Sequence, residues 1–354
     1  MDWQYHLIKD IFQKFGEQAK SISALSPEDI LTYKKPYLPE YLYKFYAPTL
    51  ENLSDVANER LWLASPSSFN DPRDCQMTIA ENFEAYVISK LIQNSPNFSK
   101  EERLRINRDA ERIGKDSKYC SHYHYILSLK SEAISKPIFD EVSRLKHLVE
   151  EFIKTLKTTN YRIACFSERK SDYFSYDTLM WAHYAQSFRG FCVEYDVKKM
   201  LATFFSYYSY FNCSKSDFTS GHIDGNVLNK IFSNGLFPVV YKSKRISIPA
   251  ATSFYIAQDK CSAKYLNNVQ LQFLKSLLTK DLIWKYEQEW RLIVNESLVE
   301  PVGFKIPFPF ASRIIVGDSA SPELKLLLKQ VADKLNLGKD GYSGYSTESK
   351  IYLQ

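Results

Sequence analysis

Trp284-Lys285-Tyr286-Glu287-Gln288-Glu289-Trp290-Arg291-Leu292-Ile293-Val294 begins charged and aromatic and ends apolar, the profile of a strand that starts at a rim and enters a core. Side chains alternate along a strand, so the pattern predicts Glu287, Glu289 and Arg291 on one face and Gln288, Trp290 and Leu292 on the other. Two carboxylates two residues apart on a strand stand roughly 7 Å from each other. On a partly desolvated face their repulsion raises one pKa and leaves the other group ionised, as in acid–base pairs. The same residues would also suit the solvated Glu/Arg face of an edge strand, and spacing alone does not separate the two readings.

The rest of the chain supplies the context. At 354 residues it is long enough for one large domain or two small ones. A hydrophobic share of 45% and a charged share of 25% are those of a soluble globular protein. The 25 Tyr, 23 Phe and 5 Trp make it unusually aromatic, and only 11 Gly argue against a dinucleotide fold with glycine-rich turns. A net charge of +5 permits an anionic ligand without requiring nucleic acid. Cys75, Cys120, Cys165, Cys192, Cys213 and Cys261 show no C-x-x-C spacing, which speaks against zinc and thioredoxin-like sites and for buried free thiols. The N-terminal residues lack the basic-then-apolar profile of a signal peptide, and no apolar run approaches the ~18–20 residues of a membrane span. The expectation is a cytoplasmic protein with no membrane partner.

Helical spacing of Leu7, Ile8, Ile11, Phe12 and Phe15, and a helix start at Ser26-Pro27-Glu28-Asp29, predict a helical extension over 1–36. Strands are expected at 41–46, 60–65, 161–167, 189–195, 238–241 and 312–317, with an edge strand at 349–353. Helices are expected at 48–58, 177–185, 250–281 and 322–335. Phe69-Asn70-Asp71-Pro72-Arg73-Asp74 reads as a polar turn hung from a strand end, suited to ligand contacts or to plain turn chemistry. Residues 80–160 read as a charged helical insertion, and His122 and His124 there have no acid or Cys at ligand spacing. Residues 201–230 show no clear period. The strands outnumber those of regular βαβ units, so the expected fold is a single mixed α+β domain with mostly antiparallel sheets, its core at 41–79 plus 161–335.

Three stretches stand out together: Phe69-Asn70-Asp71-Pro72-x-Asp74; Cys165-Phe166-Ser167 with Met180-Trp181-x-His183-Tyr184-Ala185; and Trp284-x-Tyr286-Glu287-x-Glu289-Trp290-Arg291. As a set and in this order they resemble the bacterial family known as domain of unknown function 2971, over about Leu42 to Lys334. The layout of strands also resembles the split sheet of the ADP-ribosyltransferase fold. That second resemblance implies NAD as substrate, with transfer of ADP-ribose or NAD glycohydrolysis, in a bacterial toxin or phage-defence setting. It implies Glu289 as the principal catalytic glutamate, stabilising the oxocarbenium-like centre as nicotinamide leaves, and Glu287 as its assistant. Lys44 and Tyr46 fall at the first-strand position that contacts the NAD phosphates or ribose. Ser167 ends the strand that shapes the nicotinamide pocket, and Trp181, His183 and Tyr184 would stack on or orient the ring. Ser65, Asn70, Asp71, Arg73 and Arg291 complete the expected cofactor contacts, Arg73 pairing with a phosphate. The family pattern has Arg or His where Lys44 stands, and Ser-Thr-Ser is absent. The acceptor would be a nucleic acid or a protein, and no metal is expected.

Two alternatives remain open from the residues. Asp71, Asp74, Glu287 and Glu289 are hard oxygen ligands of the kind that hold Mg²⁺ in nucleases. The aromatic and basic residues would also serve a non-catalytic module that senses nucleotides or nucleic-acid ends.

Overall fold

The computed structural model describes residues 3–15, 31, 33–93, 95–104, 130–169, 174–201, 231–232, 234–260, 262–338 and 341–344. The helix start at Ser26, the pair His122 and His124, residues 202–230 and the expected strand at 349–353 lie outside them.

Chain contacts divide the protein into two compact units, residues 1–70 with 160–243 and 280–354, and residues 71–159 with 244–279. The expected helical insertion, 80–160, falls within the second unit up to residue 159, and that unit also takes in 71–79 and 244–279. That unit contains the helices Phe83–Gln93, Glu132–Thr159, Ala250–Ala257 and Ala263–Leu277 and a parallel ribbon of Thr78–Ile79 with Ser247–Ile248. Val87, Ile88, Leu145, Val149, Phe254 and Phe273 supply its buried apolar faces. The Lys157 ammonium donates to the carbonyls of Asp74 (2.8 Å) and Pro72 (3.2 Å), tying the long helix to the polar turn.

The first unit is built on a seven-stranded sheet, its strands numbered here along the chain: β1 (Tyr41–Tyr46), β2 (Tyr161–Ser167), β3 (Phe191–Asp196), β4 (Leu236–Pro238), β5 (Glu289–Asn295), β6 (Ala311–Val316) and β7 (Tyr342–Gly344). Their order is β7-β6-β3-β1-β2-β5-β4, with every pairing antiparallel except β6 with β7. The mixed, mostly antiparallel α+β architecture is the one the sequence predicts.

Both faces are covered, which explains why β1 and β3 read as nearly unbroken apolar and aromatic runs. On one face Leu42, Tyr46, Phe166, Val193, Tyr195, Trp290, Leu292 and Ile314 form the main core. On the other, Tyr43, Phe45, Cys192 and Ile315 pack against Met180, Trp181 and Ala185, carried by the Phe174–Tyr184 helix and its C-terminal end.

The sheet splits between β1 and β2. These two strands pair only at Tyr43↔Ser167, whereas β1 pairs with β3 along its whole length. Ala64, beyond the short strand Arg60–Trp62, fills the gap by exchanging both backbone hydrogen bonds with Ile163. The Lys44 ammonium takes the carbonyl of Cys165 at 3.2 Å, so the β2 backbone left by β1 is satisfied.

Candidate functional site

The opening stretch is not one strand. Asp281 caps a 3₁₀ segment, Leu282–Glu287, by accepting from the Ile283 N–H. Gln288 then adopts a left-handed conformation (φ 43°, ψ 53°), and the strand begins only at Glu289. The left-handed residue reverses the chain between the two glutamates, so strand alternation does not set where Glu287 points. Both carboxylates nevertheless meet on one cation. The Lys280 ammonium donates to Glu287 Oε2 at 2.5 Å and to Glu289 Oε2 at 3.0 Å. Arg291, fully buried, donates from Nε to Glu289 Oε1 at 2.7 Å and from Nη2 to Oε2 at 3.2 Å. The Tyr184 hydroxyl donates to Glu287 Oε1 at 2.8 Å, and the Glu289 N–H donates to the Tyr241 hydroxyl at 2.8 Å.

These contacts separate the two acids. Burial raises the Glu289 carboxyl, but the Arg291 guanidinium and the Lys280 ammonium outweigh it and hold Glu289 well below the usual carboxylate range. Glu287 is pushed up to about 7, first by burial and then by the charge of Glu289, against the pull of Lys280. Burial alone would lower the Lys280 ammonium, yet the two carboxylates keep it above its ordinary value. Lone pairs follow the same division. Glu289 receives three bonds from cations, whereas Glu287 receives one from Lys280 and one from Tyr184, leaving acceptor capacity on Glu287.

Register places further polar groups beside this cluster. Glu289 lies opposite Ser167, Ser167 opposite Tyr43, Tyr43 opposite Glu194, and Glu194 opposite Arg313, one row across five strands. Three rings gather at the Glu287 end of the row: His183 and Trp284 at 6.1 Å between centroids, His183 and Tyr286 at 6.5 Å, and Trp284 and Tyr286 at 6.0 Å. His183 is exposed and the other two are partly so. Lys280 Nζ stands 5.2 Å from the Trp284 ring, joining the rings to the carboxylates. The site therefore presents a planar-ring surface next to a carboxyl that titrates near neutrality.

The predicted residues fall into three groups. Glu287, Glu289, Arg291, Ser167, His183 and Tyr184 belong to this cluster or its row. The Arg291 guanidinium also lies 5.4 Å from the Phe69 ring, which brings the end of the polar turn to the site, with Asn70 next to it. Ser65 caps the short turn Pro66–Ser68 that leads there. Lys44, Tyr46 and Trp181 are placed differently. Strand alternation turns Lys44 away from Glu289, and its ammonium sits 5.6 Å from the Tyr46 ring and 5.8 Å from the Phe166 ring, in the sheet split. The Tyr46 hydroxyl bonds that of Tyr195 at 2.8 Å, and its ring stacks on Phe191. Trp181 packs edge-on to Phe45 and stacks on Phe188. Asp71 and Arg73 belong to the second unit, where Asp71 Oδ1 accepts the Arg73 N–H at 2.8 Å in a local turn.

Sequence reasoning missed Lys280, Tyr241, Trp284 and Tyr286 as site residues. The signal for Lys280 was available: it is a lone cation in the apolar run Leu277-Leu278-Thr279-Lys280-Asp281-Leu282-Ile283, and such a residue needs a buried partner.

Fold and site together define a mixed α+β protein organised around a carboxylate pair of unequal ionisation. Residues 180–292 match the model of the family described as Protein of unknown function (DUF2971). The matched span holds Met180-Trp181, His183-Tyr184 and the Glu287-Arg291 stretch, while the Phe69 and Cys165 stretches precede it. No match is found among curated proteins or solved structures. Among the described residues, no helix is long and apolar enough to cross a membrane.

Proposed function

We propose that the site cleaves the N-glycosidic bond of NAD or a related nucleotide, delivering ADP-ribose to water or to an acceptor hydroxyl. The observation that carries this reading is the neutral-range carboxyl of Glu287, tied to Tyr184 and flanked by the open rings of His183, Trp284 and Tyr286. The resemblance of the strand layout to the ADP-ribosyltransferase fold supports this reading by analogy alone.

In this mechanism the rings hold the planar, cationic nicotinamide by stacking. The bond between the ribose C1′ and nicotinamide breaks, and its electron pair leaves with the ring. The oxocarbenium-like centre is stabilised by the carboxylates, most strongly when Glu287 is ionised and the net charge of the Glu287, Glu289, Lys280 and Arg291 group is lowest. The attacking oxygen passes its proton to the Tyr184 oxygen as the Tyr184 proton moves to Glu287, so the carboxyl ends protonated. Glu289 is the fixed anion that holds Arg291 and Lys280 in place and raises Glu287. The roles thus differ from the expectation that made Glu289 the principal catalytic glutamate and Glu287 its assistant. For the nuclease alternative, the same carboxylate oxygens would have to leave Lys280 and Arg291 to take up Mg²⁺.

The test is nicotinamide release from NAD by the full chain, followed from pH 5 to 9. Release should rise through about pH 7, set by Glu287. Glu287→Gln and Tyr184→Phe should each lower kcat by about 10²-fold or more, and Trp284→Ala should raise KM. Release that is absent, or unchanged in Glu287→Gln, refutes the reading.

A further inference from the structure

The same polar row continues past Ser167 to a second cluster. Glu194, almost fully buried on β3, accepts from the Tyr43 hydroxyl at 2.8 Å, from the Ser312 hydroxyl at 2.8 Å and from Arg313 Nη2 at 2.5 Å. A bulge between Ala311 and Arg313 aims both Ser312 and Arg313 at this one carboxylate. From the β2 side, Arg169 lays its guanidinium 5.0 Å from the centre of the Tyr43 ring. From the β6 side, Arg313 shares the Glu194 Oε2 acceptor with the Tyr43 hydroxyl. Two guanidinium groups therefore converge on one tyrosine, and Glu194 pairs with Arg313. Among the described residues Arg313 Nε is buried with no hydrogen-bond partner, and the Arg313 side chain as a whole remains 39% exposed. A guanidinium anchored on one side by Glu194 and exposed on the other presents its open edge to an anion with several oxygens.

We propose that Arg169 and Arg313, meeting over Tyr43, bind the diphosphate of a nucleotide that lies along this sheet face with its reacting sugar at Glu287. Neighbouring strands stand about 4.8 Å apart, so Tyr43 is roughly 10 Å and Arg313 roughly 19 Å from Glu289 along the row. Long arginine side chains pointing inward shorten the second distance, and a ribose with its diphosphate covers such a span. Glu194 positions Arg313 and tempers its charge, which keeps the bound anion exchangeable. The identity of the nucleotide rests on the proposed cleavage of NAD; the diphosphate site does not.

The experiment is calorimetric titration of the full-length protein with ADP, inorganic pyrophosphate and adenosine. ADP and pyrophosphate should bind, and adenosine should bind at least about tenfold more weakly than ADP. Arg169→Ala and Arg313→Ala should each weaken ADP by about tenfold or more, with circular dichroism unchanged. Glu194→Gln keeps the shape and removes the competing charge, so it should tighten pyrophosphate about threefold or more. A purely structural Glu194–Arg313 pair would move both variants in the same direction, and that outcome overturns the proposal. Unchanged ADP affinity in both arginine variants overturns it as well. Binding of ADP through the arginines without nicotinamide release from NAD keeps this site and refutes the cleavage reading. Release of nicotinamide with an unaltered KM in the arginine variants refutes this site alone.

Discussion

Replacing Glu287 with Gln tests the electrostatics of the site without any substrate. In the folded protein this carboxyl is displaced from its ordinary 4.5 to about 7, by burial and by Glu289. Between those two pH values the unfolded chain has released the proton and the folded chain still holds it. Stability therefore falls as pH rises through this window, by up to ~1.36 kcal/mol per pH unit. Over the full window the loss is about 3 kcal/mol. Glu289 has the opposite sign: its depressed pKa contributes stability above the unfolded value, which is lost as pH falls. The assay is urea unfolding, followed by tryptophan fluorescence, of wild type and Glu287→Gln at half-unit steps from pH 4.5 to 8. Glu289 and Lys280 interact with Glu287 but stay ionised across this range, and subtracting the two curves cancels the remaining groups. The difference should slope across pH 4.5 to 7 and be flat above, with the variant gaining on the wild type by about 3 kcal/mol. Parallel curves would show that Glu287 ionises like an ordinary carboxylate, and the division of roles with Glu289 would collapse.

Other substitutions test the frame. Arg291→Met leaves a buried carboxylate with Lys280 alone and should cost about 3–5 kcal/mol at pH 7, read from chemical unfolding; a loss under ~1 kcal/mol would mean that the pair is not held as described. Gln186, Ser187 and Phe188 are all left-handed (φ 47°, 55° and 67°), so Ser187→Gly should raise stability by about 0.5–1 kcal/mol in the same assay. No gain there would show that the turn is unstrained. A Cβ at Gly190 would stand 2.1 Å from the Tyr46 carbonyl oxygen, and Gly190→Ala should therefore cost about 3 kcal/mol by forcing β3 from β1. Wild-type stability in that variant would mean that the strand entry relaxes freely.

The fold was legible where one physical signal acted alone. Aromatic and β-branched runs located β1, β2, β3 and β6, and the apolar run Trp290 to Val294 located β5, because these residues are buried on a sheet covered on both sides. Legibility failed where backbone conformation intervened. Gln288 is an ordinary residue in sequence, yet its left-handed geometry ends the strand pattern and redirects Glu287. Lys44 is expected at a phosphate through the ADP-ribosyltransferase resemblance, which says nothing of its local backbone partners. The split between β1 and β2 gave it a buried carbonyl instead. Glu194 and Arg313 were passed over, although a charge inside Phe191-Cys192-Val193-Glu194-Tyr195 demands a partner and the Arg of Ser312-Arg313-Ile314-Ile315 is that partner. Pairing across strands of distant sequence was the missing information, and no spacing along the chain carries it.

The central claim is that two neighbouring buried glutamates ionise far apart, one locked and one near neutrality. ¹³C NMR of protein labelled at the glutamate carboxyl carbon, titrated from pH 4 to 9, measures this directly. The account predicts one buried glutamate titrating near 7 and absent from Glu287→Gln, and a second, absent from Glu289→Gln, that shows the ionised shift throughout. Glutamates that all titrate in the ordinary range near 4.3 would contradict it.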